Sequence, residues 1–157
     1  MARLQSATAA GASAVSSKVG VQVGNDRWLV NLSDVSEAVP VPQLLTVPLT
    51  RRWFEGVANV RGVLYGVVDF SEFLGGEPTQ INVDSRLLLI NPRYSINAGL
   101  IVHHMLGLKN AEQFQPAEER ELPEWVAAEY VDPDGHVWKE LRMQGLVNQP
   151  DFLNVGI

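Results

Sequence analysis

An all-β fold is predicted for this 157-residue chain, and three features of the sequence predict it. Apolar residues alternate with period two on both sides of short turns, as in "VGVQVGNDRWLVNL". Turn residues such as Gly24-Asn25-Asp26 and Pro133-Asp134-Gly135 separate such runs. The apolar pattern of the first half also returns in the second, so two similar small β units are expected to pack on each other.

Taken in order, Val19, Val21 and Val23 form one face of a strand, and Trp28, Val30 and Leu32 one face of the next. Gly24-Asn25-Asp26 is the turn between them. "VSEAVPVP" is a short strand ended by Pro40 and Pro42, which have no N–H for a central ladder. "TRRWFEG" reads as a single helical turn before "GVANV". "VLYGVVDF" is a strand, and "SEFLGG" a short helix or turn closed by Gly75-Gly76. After a polar linker over residues 76–84, "SRLLLIN" and "INAGLIVHHML" form a second hairpin about "PRYS". Residues 115–124, charged and flanked by prolines, read as a loop. "WVAAEYV", "DPDG" and "HVWKELRM" give a last strand, turn and strand.

The repeat is position-specific. Steps of three, six, eight, eleven and twelve from Gly62 reach Tyr65, Val68, Phe70, Phe73 and Leu74. The same steps from Gly135 reach Trp138, Leu141, Met143, Leu146 and Val147. Upstream, Trp28, Val30, Leu32, Val35 and Ala38 match Ala98, Leu100, Val102, Met105 and Leu108, seventy residues later. A β unit of that size buries little core alone, and closing each sheet into a barrel would remove its exposed edges.

Composition excludes several functions. The net charge is −6 and lysine occurs only at Lys18, Lys109 and Lys139. There is no basic footprint for nucleic acid or for an anionic membrane. With no cysteine there is no thiolate nucleophile, disulfide or thiolate metal site. Residues 1–17, rich in Ala and Ser, read as a flexible tail without the continuous apolar stretch of a secretion signal. Residues 18–157 read as one domain of two β subdomains. No later window has the apolar length of a membrane span, and a cytoplasmic protein is expected.

Catalytic signatures are missing: there is no phosphate-binding glycine loop and no nucleophile elbow. No cofactor, no metal and no enzymatic activity are expected. "DPDG" at Asp132–Gly135 lacks the remaining ligands of a calcium loop and reads as a turn. His103 and His104 point to opposite faces of an extended strand and cannot readily chelate one ion; His136 is the remaining imidazole. Glu118, Glu119, Glu121 and Glu124 read as a solvated loop. Trp28 and Trp138 lie in phase with core positions, whereas Trp53, beside Arg51 and Arg52, has no assigned place. Two charges stand out: Glu37 in "DVSEAVPV" and Arg61 in "ANVRGVL", each among apolar strand residues. Paired, they would pin two strands in register or mark a recognition groove.

The block running from "RWLVNLSDVSEAV" through "WFEGVANVRGVLYGVVDFSEFLG" to "DSRLLLI" and "AGLIVHHMLGL" resembles the CheW-like family of chemosensory adaptors over residues 18–155. The matching motif is Gly56, Asn59, Arg61 and Gly62, followed by Val67, Val68 and Asp69. Within the family the chain is most similar to the adaptors of type IV pilus twitching systems. The resemblance implies two interlocked five-stranded SH3-like β-barrels around a shared core. It implies a non-catalytic adaptor, associated with membrane receptor arrays, that couples the cytoplasmic tip of a chemoreceptor to the regulatory domain of a histidine kinase. Val35, Glu37, Asn59, Arg61 and Gly62 would then bind partners, and the strand at Val35–Val39 would face the kinase. The alternatives are a flagellar chemotaxis adaptor and an unrelated β-barrel binding module. The chain differs from many members in carrying His103-His104 where they have an acidic residue, and in its acidic loop at 115–124.

Overall fold

The structure, a computed structural model, describes residues 18–153; the expected tail at 1–17 and residues 154–157 lie outside them. Eleven strands form two sheets: β1 (Lys18–Val23), β2 (Asp26–Asn31), β3 (Val35–Pro40), β4 (Phe54–Val60), β5 (Val63–Asp69), β6 (Arg86–Ile90), β7 (Ala98–Val102), β8 (His104–Lys109), β9 (Gln115–Pro116), β10 (Val126–Val131) and β11 (Val137–Leu141). Short helices follow β5 and β11: α1 (Phe70–Phe73), then α2 (Met143–Val147) and α3 (Pro150–Leu153).

The strand orders are β8-β1-β2-β11-β10-β9 and β3-β6-β7-β5-β4. Each sheet is therefore centred on the hairpin of one half of the chain and flanked by strands of the other half. This exchange is the interlocking that the family resemblance implies. It holds residue by residue: Lys139 pairs with Trp28 in the parallel β11–β2 ladder as Gly66 pairs with Ala98 in the parallel β5–β7 ladder. Even the bulges correspond. Val35 and Glu37 face Ile90 and Leu89 across one, and Met105 and Gly107 face Val21 and Gly20 across the other. The six-stranded sheet exceeds five by the two-residue β9, which adds to β10 inside the segment read as a loop.

Central strands sit between two cores and so are buried on both faces. Trp28, Val30, Leu88, Ile90, Leu100 and Val102 face the core shared by the two sheets. Leu87, Leu89 and Ile101, their alternating neighbours, line the interior of the five-stranded barrel with Ala58 and Val67. Leu29, Phe114 and Trp138 fill the other barrel.

Two local expectations are corrected. "INAGLIVHHML" is not one strand: the chain bends at His103 and crosses from one sheet to the other, with His103 N–H donating to the Gln22 carbonyl at 2.9 Å. Arg51–Trp53 makes a tight turn rather than a helical one, closed by Phe54 N–H on the Arg51 carbonyl at 3.0 Å, because β4 begins at Phe54 and claims the following N–H groups.

Trp53 finds its place in an aromatic cluster drawn from four segments. Its ring stacks on Phe152 at 6.4 Å and meets Phe73 edge-on at 5.1 Å, and Phe73 in turn meets Trp125 at 6.0 Å. Phe152 is 2% exposed and holds α3 against the shared core. Phe152→Ala is expected to lower the unfolding free energy by about 3–4 kcal/mol, read from urea denaturation, because the ring leaves a cavity that flanking aromatics cannot fill.

Candidate functional site

The motif Gly56-Val57-Ala58-Asn59-Val60-Arg61-Gly62 builds the β4–β5 hairpin, and each of its marked residues has a separate task. Val60 pairs with Val63, so Arg61 and Gly62 are the whole loop. Their φ angles are +50° and +87°, the two positive values that a type I′ turn demands. Arg61 is thus part of the turn itself. The Asn59 side-chain oxygen accepts the Gly62 N–H at 2.8 Å and fixes the tip. At Gly56 (φ +133°) the carbonyl of Leu45 lies 2.3 Å from where a Cβ would stand, and Leu45 bridges Val57 by two backbone hydrogen bonds of 2.8 and 2.9 Å.

From that tip the Arg61 guanidinium reaches both carboxylate oxygens of Glu37, with Nη1 3.2 Å from Oε2 and Nη2 bonded to Oε1. The pair forms as expected from the sequence, but not between neighbouring strands. β3 and β4 are the two edges of the five-stranded sheet. The ion pair spans those edges and latches the barrel where backbone pairing stops. Nor is it buried: the side chains are 68% and 41% exposed, since a turn tip carries its side chains into solvent. An exposed pair of this kind contributes about 0–1 kcal/mol to stability.

Among the other expected residues, Val35 opens β3 and packs partly against the shared core, while Asn59 and Gly62 are exposed. Glu37, Asn59, Arg61 and Gly62 therefore meet at one end of the five-stranded barrel, and Val35 lies toward the seam between the sheets. The structure also exposes three leucines to which the sequence reading gives no role. Leu64 faces Asn59 across the hairpin and is 59% exposed; Leu45 and Leu49 are 72% and 77% exposed. Leu49 also holds φ +59°, an unusual conformation for a branched side chain. Their only sequence signal is a leucine out of phase with its strand, at Leu64, and two leucines in a proline-bounded loop.

The remaining candidates are structural. Asp132 accepts the N–H groups of Asp134 and His136, each at 2.9 Å, and the Trp138 indole N–H at 2.9 Å. These bonds, the indole's foremost, hold its carboxyl down at about 2 and confirm "DPDG" as a turn anchored by its own first residue. His103 lines a cleft between the β1–β2 turn and residues 76–80, and His104 opens β8 opposite Gln22. Glu118, Glu119, Glu121 and Glu124 are exposed, as read; Arg120 among them reaches back to both oxygens of Glu129 at 2.7 Å. No helix among the described residues is long and apolar enough to cross a membrane.

The described residues form two interlocked β-barrels that carry an exposed ion pair and exposed leucines on their surface. Comparison with known proteins gives the family. The model of the CheW-like domain matches residues 18–151, and the chain belongs to that family. It is similar to Protein PilI of Pseudomonas aeruginosa, with 31% identity over 108 residues, 65% of this chain and 60% of that protein. It is also similar to the chemotaxis protein CheV3 of Helicobacter pylori, with 23% identity over 74 residues, 47% of this chain and 24% of that protein. The matched segments thus span less than two thirds of either curated relative. Among solved structures, the scaffolding protein TtCheW of Thermoanaerobacter tengcongensis shares the fold: the TM-score is 0.71 at 19% identity, over 85% of this chain and 88% of that one.

Proposed function

We propose that this chain is a non-catalytic adaptor that couples a methyl-accepting chemoreceptor to a CheA-type histidine kinase in the pathway controlling type IV pili and twitching motility. Membership of the CheW-like family carries the adaptor reading, and the similarity to PilI favours the pilus pathway. The similarity to CheV3 supports a second reading, an adaptor of flagellar chemotaxis. In either pathway Val35, Glu37, Asn59, Arg61 and Gly62 form the partner-binding end of the first barrel. Leu45 and Leu49 supply apolar area for the kinase regulatory domain. Exposed leucines at an interface gain from desolvation what they lack in the free chain.

The test is a pair of calorimetric titrations, one against a receptor cytoplasmic-tip fragment and one against the kinase regulatory domain. Both are expected to bind, and to bind together in one ternary complex. No binding to either would overturn the adaptor reading. Leu45→Asp/Leu49→Asp is expected to weaken the kinase titration at least about tenfold while leaving the melting temperature within a few degrees, because both side chains are already in solvent. A deletion strain that loses twitching and keeps swimming selects the pilus pathway; the reverse selects the flagellar one.

A further inference from the structure

An ion pair that the adaptor reading does not use stands at the root of β3. Asp34 ends the turn Leu32–Asp34 directly before β3, and Arg93 and Tyr94 belong to the turn Pro92–Tyr94 between β6 and β7. Asp34 is 7% exposed, and its Oδ1 accepts both an Arg93 Nη2–H and the Tyr94 hydroxyl. The Arg93 guanidinium lies over the Tyr94 ring, 5.0 Å from its centre, and donates to the Tyr94 oxygen at 3.0 Å. The backbone joins the two turns as well. The Asn91 N–H donates to the Asp34 carbonyl at 2.9 Å, and the Asn91 side-chain N–H to the Ser33 carbonyl at 3.2 Å. The guanidinium is thus fixed by a ring and by hydrogen bonds from one nitrogen, Nη2. Its Nε and Nη1 have no hydrogen-bond partner among the described residues, and the side chain is 52% exposed.

Stability alone is a poor reason for this tie, because burying a carboxylate is costly and its cation does little more than offset the cost. The repeat shows that the fold can do without it. At the equivalent place His104 stands for Asp34, seventy residues on, and the turn Gly24-Asn25-Asp26 stands for the turn of Arg93 and Tyr94, with no arginine or tyrosine to offer. The tie is found where β3 begins, and β3 is the edge strand that carries Val35 and Glu37. Val35 follows Asp34 directly, both Val35 and Tyr94 pack partly against the shared core, and Leu32 in the same turn as Asp34 is exposed. Arg93 therefore flanks a partly apolar patch at one end of β3, and the loop of Leu45 and Leu49 follows the other end.

We propose that Arg93 is a further partner-binding residue, held by Asp34 and Tyr94 so that its Nε and Nη1 N–H groups meet a carboxylate of the receptor's cytoplasmic tip. Hydrogen bonds between a guanidinium and a carboxylate are among the strongest a protein surface can offer. A side chain already fixed by its own neighbours loses little freedom when a partner arrives. Arginine suits the place because it divides its nitrogens, one toward the buried carboxylate and two toward solvent. A lysine ammonium drawn to Asp34 has no second nitrogen to present. The choice of partner rests on the adaptor reading, which gives the loop of Leu45 and Leu49 to the kinase domain and so leaves the opposite end of β3 to the receptor.

The test compares the whole chain with Arg93→Lys and with the double variant Asp34→Asn/Arg93→Gln, in both calorimetric titrations and in thermal melting. Lysine keeps a cation on Asp34, and the double variant removes both charges together, so neither leaves a buried carboxylate unpaired. Both are expected to melt within a few degrees of the parent chain. Each is expected to weaken the receptor-tip titration at least about tenfold and to leave the kinase titration within about twofold. Receptor affinity that is unchanged in the folded variants makes the tie structural only and overturns the proposal, as does an equal loss in both titrations. Should the double variant not fold, Arg93→Lys alone decides. Failure of the adaptor reading is told apart by the parent chain, which would then bind neither fragment before any variant is compared.

Discussion

Gly56→Ala is expected to lower the unfolding free energy by about 4 kcal/mol, a large share of the 5–15 kcal/mol that keeps a domain folded. The cause is contact with backbone. A Cβ at residue 56 would lie 2.3 Å from the Leu45 carbonyl oxygen and 2.9 Å from its carbon, neither of which is a flexible side-chain end. Relief requires the Leu45 strand to move away, which breaks both of its hydrogen bonds to Val57. The positive φ at Gly56 adds the usual cost of that conformation to any residue with a side chain. Gly62→Ala is the internal control. Gly62 also has positive φ, but nothing lies within 4 Å of its would-be Cβ, so its cost is about 1 kcal/mol. Urea denaturation of the two variants should separate them by about 3 kcal/mol. Equal losses would mean that strain alone, and not the packing of Leu45 on β4, makes Gly56 necessary.

The contrast between these glycines shows what a sequence can carry. Both stand in the motif that marks the family resemblance, and both have positive φ. Gly62 could be read as a turn residue because its reason is local: a two-residue loop between period-two runs. The reason for Gly56 is a non-local approach by Leu45, eleven residues upstream, which no spacing rule records. The same division runs through the fold. The hairpins and the repeat were legible, since alternation and turn chemistry are local properties. That the two halves interlock came only through the family resemblance and not from alternation or turns, since strand pairing across the chain depends on which edges meet in space. "INAGLIVHHML" keeps its apolar pattern through His103 while the chain changes sheets.

The site divides likewise. Glu37 and Arg61 were visible as charges out of place, and their pairing follows from charge alone. Their setting was not visible: they join the two edges of a barrel, in solvent, with Arg61 inside the turn. Trp53 had no assignment because Phe73, Trp125 and Phe152 reach it from distant segments. Arg93 drew no notice at all. An arginine in a turn is ordinary until folding sets Asp34 beside it.

Reversal of the latch charges gives the second large effect, on binding rather than on stability. Arg61→Glu is expected to weaken binding of the receptor tip or the kinase regulatory domain by about tenfold to a hundredfold, as for charges that steer and orient a contact. Its cost in unfolding free energy should stay near 1 kcal/mol, because the pair is exposed and water takes up the freed charges. Glu37→Arg should behave in the same way. The exchanged pair, Glu37→Arg with Arg61→Glu, then separates two roles. If the ion pair acts only by joining β3 to the β4–β5 tip, restoring attraction restores both stability and binding. If a partner reads the charges one by one, the double variant regains stability and remains a weak binder. Titration and urea denaturation of all three folded variants measure both quantities. Unchanged binding in both single variants would remove Glu37 and Arg61 from the interface and leave them as a surface clasp. The asymmetry of the repeat argues against that outcome. In the other half the equivalent positions are Gly107 and Asp134, which cannot pair, yet that barrel closes without a clasp. A clasp unnecessary for closing one barrel has little structural reason to be present in the other, so loss of binding in the single variants is the expected result.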